Sequence, residues 1–402
     1  MMVRFITDVP GFRAAGVHAG LKPHGAPDVA LVVSERPCVA AATFTQNVVK
    51  AAPVLYDQAL LAQNRTAIWA VVINSKNANA VTGPQGLRDA ERMAQITAEA
   101  LALPHGAGVF VMSTGVIGVP LPMEKVERGI RLAAQSLSPE GGPDAARAMM
   151  TTDTRPKHSG LAVELAGTRV SVAGMAKGAG MIHPNMATML AVIATDVAVL
   201  PPVLDAALHY AVERSFNCIS VDGDTSTNDT CLVLANGLAG NTPLQEAEGE
   251  AFAAFRDALT AVCQDLARQI AFDGEGATKR VTITVYNAGS FEAARQVGRT
   301  IATSPLVKTA LFGRDANWGR VLAAAGRSGV AFDPQRTNLW FGDLQVLRHG
   351  LPVPFDEARA LEILSERDIF IALDLGKGPG QATVWTCDFS YEYVTINAEY
   401  RT

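Results

Sequence analysis

The stretch Lys177-Gly-Ala-Gly-Met-Ile-His-Pro-Asn-Met-Ala-Thr-Met-Leu190 is the most informative part of this 402-residue chain. It places Thr188 directly after the small residue Ala187, behind a bent loop that is able to hold a strained peptide bond. A threonine hydroxyl is a weak nucleophile unless a base lies beside it. Cleavage between Ala187 and Thr188 would supply that base, because the new α-amino group, with a pKa near ~7.7–8.0, would lie on the same residue. The stretch predicts an enzyme that cleaves itself and then transfers acyl groups. The alternative is a threonine that only caps a helix or packs in the core.

Length and composition predict a well-buried globular protein with two or three subdomains. Apolar residues make up 49% of the chain and charged residues 18%, with a net charge of −5. Lysine and arginine are scattered, which argues against nucleic acid as a partner. The five cysteines are widely spaced and odd in number, as expected for reduced thiols in a cytoplasmic protein. We find no secretory signal, and the longest apolar run, 186–200, is too short and polar to span a membrane.

The hydrophobic pattern mixes strands with helices, which predicts an α/β or α+β layered fold. Two strand-like apolar runs near the end of the chain, 370–375 and 382–388, predict a strand pair. The segment 393–402 predicts a further strand. Strands are expected at 29–34, 67–73, 109–112, 168–172 and 280–286, and helices at 89–102, 204–216 and 250–271.

Four further residues carry chemistry that fits acyl transfer. Thr114 and Gly115 follow an apolar strand, and a hydroxyl with a backbone N–H could stabilise a developing oxyanion. Lys177 could bind a substrate α-carboxylate, and Glu275, flanked by glycines, could bind a substrate ammonium. The alternatives are a plain turn, an exposed lysine and a loop acid.

Metal and nucleotide sites are not predicted. The acidic run Asp222-Gly-Asp-Thr-Ser-Thr-Asn-Asp229 lacks the glycine that a calcium loop needs at its sixth position, so a hydrogen-bonded structural loop is expected there. The histidines and cysteines show no zinc spacing, and no phosphate-binding glycine motif is complete. We therefore expect no metal and no cofactor.

Taken together, motifs in order along the chain resemble the ornithine acetyltransferase family, the bifunctional proteins of arginine biosynthesis. No single motif is specific, but their joint occurrence is. They are Gly11–Gly16, Asn77–Ala80, Ser113–Gly118, Met150–Thr154, Lys177–Met181, Pro184–Leu190, Val221–Asp229, Ser304–Thr309, Gly313–Arg320 and Asn397–Tyr400.

The resemblance implies self-cleavage into an α chain, 1–187, and a β chain, 188–402. It implies a layered sandwich similar to the N-terminal-nucleophile hydrolases, completed by about 188–285, with a smaller C-terminal α+β domain at about 286–402. The usual assembly of such proteins is an α2β2 heterotetramer.

The resemblance also implies the reaction. Thr188 is the nucleophile, Thr114 and Gly115 form the oxyanion hole, and the acetyl group passes from N-acetylornithine to glutamate through an acetyl-threonine. Whether acetyl-CoA also serves as a donor stays open, as does the choice between Thr151 and Thr152 as a contact. The implied substrate contacts are Thr151, Lys177, Thr188, Glu275, Asn397 and Thr402.

Two residues depart from the family pattern. Lys76 stands where glycine is usual, and Val81 stands where cysteine is usual. Lys76 could be exposed, or it could adjust the preference for acidic acceptors. Two other functions remain to be excluded: an aminopeptidase or amidase of related fold that passes the acyl group to water, and a binding or structural protein in which Thr188 is merely packed.

Overall fold

The computed structural model describes residues 2–183 and 189–399. The described residues form two compact units. The first contains 2–178, 189–217 and 225–266, and the second contains 179–183, 218–224 and 267–399.

The first unit is built on an eight-stranded mixed sheet, counted over the described residues. Its strands are β1 (Phe12–Val17), β2 (Val29–Phe44), β3 (Ile68–Asn74), β4 (Gly108–Ser113), β5 (Lys157–Leu165), β6 (Thr168–Lys177), β7 (Leu190–Thr195) and β8 (Thr230–Ala235). Its helices are α1 (Ala52–Gln63), α2 (Gly83–Ala100), α3 (Met123–Gln135), α4 (Gly142–Ala148), α5 (Pro201–Glu213) and the first part of α6 (Gly249–Ala271).

The strand order is β4-β3-β2-β8-β7-β6-β5, and β1 pairs with the first half of β2. The pairs β3–β4 and β7–β8 are parallel, and the other neighbours are antiparallel. Because β3 and β4 run in the same direction, the loops that follow them leave the sheet at the same edge.

Side chains of the central strands are buried on both faces of the sheet. Consecutive residues of a strand point to opposite faces, so Leu31 and Val32 belong to different apolar clusters. The cluster with Leu31 contains Met93 of α2 and Ile130 of α3, which cover that face. Burying each such side chain stabilises the fold by about 1.5–3 kcal/mol.

The second unit carries a six-stranded sheet of order β12-β11-β10-β13-β9-β14, again over the described residues. Its strands are β9 (Arg280–Ala288), β10 (Asn338–Phe341), β11 (Leu344–Arg348), β12 (Leu351–Pro352), β13 (Asp368–Asp374) and β14 (Gly380–Cys387). Its helices are α7 (Phe291–Ala302), α8 (Pro305–Phe312), α9 (Trp318–Gly326), α10 (Glu357–Ser365) and α11 (Tyr391–Ala398), with the end of α6.

The mixed α/β class expected from the sequence is confirmed by these two sheets and their helices. The five cysteines are free and buried, also as expected. Within residues 2–183 and 189–399, no helix combines the length and apolar character that crossing a membrane requires.

The predicted pairing of the last two strands is wrong. β13 and β14 do not pair with each other, because β9 lies between them, parallel to β13 and antiparallel to β14. β9 therefore lies in the second unit, within its longest described segment, 267–399. β9 comes from earlier in the chain and lies between the two strands. Local periodicity in the sequence gives no information about such an insertion.

The strand predicted at 393–402 is also wrong over its described part, which lies mostly in helix α11. The β-branched residues of this segment favoured a strand. In a helix, however, each backbone carbonyl accepts a hydrogen bond from the N–H four residues later, so no neighbouring strand is needed. The ring of Phe389, just before the helix, stacks on the ring of Tyr393 within it, with a centroid separation of 4.7 Å.

One buried carboxyl completes the end of the first sheet. Asp57 of α1 is fully buried, and its Oδ1 accepts a hydrogen bond of 2.9 Å from the Val111 N–H on β4, the last strand of the sheet order. Its Oδ2 has no hydrogen-bond partner among the described residues. Burial raises the pKa of Asp57 well above its usual range, although the Val111 N–H lowers it in part, so burial favours the neutral form of the carboxyl.

We expect Asp57→Asn to become more stable relative to the wild type as the pH rises from about 4 to 7. The native state keeps the Asp57 proton and the unfolded chain loses it above a pKa near ~3.9, so wild-type stability falls with rising pH by up to ~1.4 kcal/mol per pH unit. Asparagine has no proton to lose. Urea unfolding at several pH values measures the difference. Asp257→Asn, at an exposed position of α6, is the control and should show no such trend. A difference for Asp57→Asn that does not change with pH would contradict the neutral carboxyl.

Candidate active site

The structure places the predicted site residues in two groups. Thr114, Gly115, Thr151 and Lys177 lie in the first unit, and Glu275 and Asn397 lie in the second. Ala187, Thr188 and Thr402 are outside the described residues, so their roles stay predictions.

Asn74, the last residue of β3, connects the two loops at the sheet edge. Its Oδ1 accepts a hydrogen bond of 2.6 Å from the Ser113 hydroxyl, and its carbonyl accepts one of 3.0 Å from the Thr114 N–H. Its side-chain NH2 donates to the Asn77 carbonyl at 3.0 Å. The end of β4 and the loop after β3 are therefore held as one piece.

A second asparagine fixes the same loops from the segment before β8. The Asn228 side-chain NH2 donates to the carbonyls of Ala78, at 2.6 Å, and Ser113, at 2.9 Å. Asn228 belongs to the acidic run that was expected to form a hydrogen-bonded structural loop, and it does so. Within the described parts of the chain, no group of three or more His, Cys, Asp or Glu residues could hold a metal ion.

Gly115 occupies a position that no other residue fits. Its φ is +134°, and a Cβ added there would lie 2.1 Å from the carbonyl carbon and oxygen of Lys76. The Val116 N–H donates to that same Lys76 carbonyl at 2.9 Å. The close approach of two backbones therefore fixes where the Gly115 N–H points, since a side chain would push the loops apart.

Lys76 itself has a φ of +83°, and Val81 has a φ of +57°. Both side chains are exposed. A positive φ is costly for residues with a Cβ, and a β-branched valine is a rare occupant. The glycine that the family resemblance implies at position 76 would avoid this backbone cost. Of the two outcomes considered for Lys76, its exposure is confirmed.

Thr114 meets Lys177 in the buried part of this group. The Lys177 ammonium at the end of β6 donates to the Thr114 hydroxyl oxygen at 3.3 Å, and both side chains are at least nine-tenths buried. An ammonium has no acceptor, so the threonine oxygen must accept and its own hydrogen remains to be donated. Thr114 can therefore offer an O–H to an oxyanion next to the Gly115 N–H.

Sequence reasoning missed Asp153, which connects the loop of Thr151 to the end of β6. Its Oδ1 accepts from the Lys157 ammonium at 2.6 Å and from the Gly178 N–H at 2.7 Å, and its Oδ2 accepts from the Thr151 N–H at 2.9 Å. Burial alone would raise the pKa of Asp153, but Lys157, Lys177 and the Gly178 N–H lower it, and the net pKa lies well below the usual range. One charged carboxylate thus positions two predicted substrate contacts.

A signal for Asp153 was present in the sequence. It lies inside the motif 150–154, and Lys157 follows it by four residues. Nothing in the sequence showed that both side chains would be completely buried, which is the condition that makes the pair important.

The second group forms around Glu275. The Asn397 side-chain NH2 donates to the Glu275 Oε2 at 2.9 Å, and the Glu275 backbone N–H donates to the Ala179 carbonyl at 2.9 Å. A Cβ on Gly180 would lie 2.4 Å from the Glu275 carboxyl carbon, so only glycine leaves room for that carboxylate. The structure therefore brings two predicted contacts, Glu275 and Asn397, together.

Lys76→Gly is expected to raise the free energy of unfolding by up to about 1 kcal/mol. Glycine avoids the ~1–2 kcal/mol penalty of a left-handed conformation, but it loses more chain entropy on folding. Urea unfolding measures the change. As a control, Gln95→Gly at an exposed position in the interior of α2 should lower the free energy of unfolding by about 1 kcal/mol. Equal destabilisation by both variants would show that Lys76 is not strained.

Comparison with known proteins gives consistent matches over the chain. The ArgJ family matches residues 13–402. The arginine biosynthesis bifunctional protein ArgJ of Symbiobacterium thermophilum is 54% identical over 403 residues, which cover 99% of this chain and 98% of that protein.

Two solved structures are similar to part of the chain. The crystal structure of arginine biosynthesis bifunctional protein ArgJ from Bacillus halodurans is 42% identical with a TM-score of 0.49, and covers 50% of this chain and 95% of that chain. Ornithine acetyltransferase of Mycobacterium tuberculosis, complexed with ornithine, is 42% identical with a TM-score of 0.42, and covers 46% and 96%. By its sequence matches over nearly the whole length, the chain belongs to the ArgJ family.

Proposed function

We propose that this protein is a glutamate N-acetyltransferase of arginine biosynthesis, which transfers the acetyl group of N-acetylornithine to glutamate. The observation that carries the proposal is the 54% identity, over nearly the full length of both chains, with a bifunctional protein of arginine biosynthesis. The arrangement of Thr114, Gly115 and Lys177 supports it, because it offers the hydrogen-bond donors that acyl transfer needs.

Maturation comes first in the proposed mechanism. The Thr188 hydroxyl attacks the carbonyl carbon of Ala187, and the peptide bond is exchanged for an ester as the nitrogen of Thr188 takes up a proton. Water then hydrolyses the ester, which leaves a carboxylate on Ala187 and a free amine and hydroxyl on Thr188. These two groups form the nucleophile and its base.

The first half-reaction uses the same hydroxyl. Thr188 attacks the acetyl carbonyl of N-acetylornithine while its amine takes the proton, and the resulting oxyanion accepts hydrogen bonds from the Thr114 hydroxyl and the Gly115 N–H. The Lys177 ammonium strengthens the hydrogen bond from Thr114 to the oxyanion, since its own hydrogen bond to the Thr114 oxygen makes that hydroxyl a better donor. Collapse of the intermediate protonates and releases ornithine, and an acetyl ester remains on Thr188.

The second half-reaction reverses these steps with glutamate. Its amino group attacks the ester, and N-acetylglutamate leaves as the Thr188 hydroxyl regains its proton. One amide is exchanged for another, so the chemistry needs no cofactor. Acetyl-CoA is a second donor to be tested, because the related proteins are named bifunctional.

The proposed substrate contacts have separate roles. Lys177 binds the α-carboxylate that ornithine and glutamate share. Thr151, whose N–H donates to Asp153, is a further substrate contact. Glu275, positioned by Asn397, binds the side-chain ammonium of ornithine. Thr188 and Thr402 complete the set of contacts. We further propose that the cleaved chains assemble as an α2β2 heterotetramer in the cytoplasm.

Intact-mass measurement of freshly purified protein should find two species, 1–187 and 188–402. Thr188→Ala has no nucleophile and should remain a single chain without transferase activity. Activity is measured as N-acetylglutamate formed from glutamate with N-acetylornithine or with acetyl-CoA as the sole donor. An uncut wild-type chain with full activity would contradict the mechanism. Release of acetate at the same rate without glutamate would indicate an amidase instead.

Thr114→Val should lower kcat by about 10²–10³-fold, because it keeps the shape of the side chain and removes one oxyanion donor. Thr114→Ser restores the hydroxyl and should recover most of the activity. Steady-state kinetics on the cleaved enzyme test this. Equal activity of the valine and serine variants would exclude the Thr114 hydroxyl from the oxyanion hole.

Glu275→Gln should impair the use of N-acetylornithine more than the use of glutamate, since only the first product carries a side-chain ammonium. Glutamine keeps the size of the side chain and the contact with Asn397. Single-turnover acetylation by N-acetylornithine and deacetylation by glutamate, measured separately, show the difference. Equal losses in both half-reactions would reject this division of roles.

A further inference from the structure

The three residues before Pro184 are held by a set of hydrogen bonds that the proposed mechanism does not use. The N–H groups of Met181 and Ile182 donate to the two carboxylate oxygens of Asp222, at 2.6 and 2.8 Å. The Ile182 carbonyl accepts from the Val221 N–H at 2.7 Å and from the Ser220 hydroxyl at 3.1 Å. The backbone of this segment is therefore fixed on both its donor and its acceptor sides.

His183 extends this set to helix α7. Its Nε2 lies 2.7 Å from the Arg299 guanidinium, and its Nδ1 lies 3.2 Å from the Ser220 hydroxyl oxygen. A guanidinium only donates, so Nε2 must accept and the ring proton of a neutral imidazole must be on Nδ1. That proton is then donated to Ser220, whose own hydrogen goes to the Ile182 carbonyl. The direction of every bond follows from Arg299.

The neutral state of the ring agrees with its surroundings. Burial and the charge of Arg299 lower the pKa of His183 to about 4. A protonated ring would turn its Nε2 into a donor facing the Arg299 donor, and the arrangement would be lost.

The segment also contains a strained residue, which explains why it needs so many bonds. Met181 has a φ of +56°, a conformation that costs an L residue roughly 1–2 kcal/mol. Such a conformation persists where surrounding contacts determine it. The backbone of residues 181–183 is therefore held in place by Asp222, Ser220 and His183.

On the far side of residues 184–188, the chain is fixed again where β7 begins. Leu190 pairs with Lys177 on one side and with Thr230 on the other, and the Met189 carbonyl accepts from the Thr230 N–H at 3.0 Å. An uncut chain is thus anchored before and after the predicted scissile bond. After cleavage, only the second anchor remains connected to Thr188.

We propose that His183, with Ser220 and Arg299, is a positioning residue for self-cleavage that acetyl transfer by the mature enzyme does not need. The proposal rests on the proposed self-cleavage at Ala187–Thr188. Intramolecular attack requires the hydroxyl and the carbonyl carbon at about 3–3.5 Å, and an error of about 1 Å can slow such a step 10²-fold. Releasing the first anchor slows the attack on the Ala187 carbonyl. Attack on an acetyl substrate does not involve that carbonyl and is unaffected.

The test follows newly made full-length chain in a cell-free synthesis reaction that is quenched at intervals. The conversion of precursor to 1–187 and 188–402 is measured for wild type, His183→Ala, Ser220→Ala and His183→Gln. We expect His183→Ala to slow conversion by about 10- to 100-fold, and Ser220→Ala to slow it as well. The glutamine of His183→Gln can present an oxygen near the position of Nε2, so this variant should lose less than the alanine variant.

Two controls separate positioning from folding. His209→Ala, at an exposed position of α5, should convert at the wild-type rate. The kcat of each variant, corrected for the fraction of cleaved chain, should stay within about twofold of wild type, as expected for an effect on orientation that is confined to the scissile carbonyl.

Conversion of both His183→Ala and Ser220→Ala at the wild-type rate would overturn the inference. So would a loss of kcat in the cleaved fraction as large as the loss in conversion rate, because that pattern indicates general damage. If the wild-type chain itself is not cut at Ala187–Thr188, the proposed function fails, and this is visible before any variant is compared.

Discussion

The parallel pairing of β3 and β4 is the constraint on which the first group of site residues depends. It brings the loops after both strands to one edge of the sheet, and there the backbone of Lys76 passes within contact distance of Gly115. Asn74 and Asn228 hold the two loops together through hydrogen bonds from side chains to backbone. The Gly115 N–H and the Thr114 hydroxyl therefore take their directions from the sheet and are not adjustable by one loop alone. Preorganised donors of this kind are what oxyanion stabilisation requires.

Electrostatics in the first unit is arranged around one carboxylate. Asp153 is buried with Lys157 and stays charged, while Lys177 and Lys22 are close enough to be influenced by it. Burial lowers the pKa of Lys22 to about 8, although Asp28 and Asp153 raise it in part. One lysine in contact with Asp153 and two further lysines thus interact with a carboxylate whose two oxygens both accept hydrogen bonds. A surplus of positive charge at this place favours the binding of carboxylates.

Much of the fold and part of the site could be predicted from the sequence. The strands β3, β4 and β9 and the amphipathic helices α2 and α6 were predicted because their signals are local. The order of strands could not be predicted, and so the insertion of β9 between β13 and β14 was missed. Helix α11 was missed because its β-branched residues favour strands when tertiary context is unknown.

The site shows the same limit. Thr114, Gly115 and Lys177 could be singled out because their chemistry is evident from residue type and motif. Asp153 was missed because its importance comes from complete burial beside Lys157, and burial of a charged pair has no periodic signal in a sequence. The hydrogen-bond directions around His183 depend on Arg299, which is more than a hundred residues away in the chain.

The two departures from the family pattern can be understood through backbone strain. Lys76 and Val81 both have positive φ, and Asn79 between them does too. Asn79 is the best suited of the three, since asparagine tolerates this conformation, and its side-chain NH2 donates to the Gly86 carbonyl at 2.8 Å. Lysine and valine have no such compensation, and each raises the energy of the folded loop by roughly 1–2 kcal/mol. Both side chains point to solvent, so this penalty is one of stability. The loop keeps its path because Asn74 and Asn228 bind its backbone and not its side chains, and the position of Gly115 is therefore insensitive to these two substitutions.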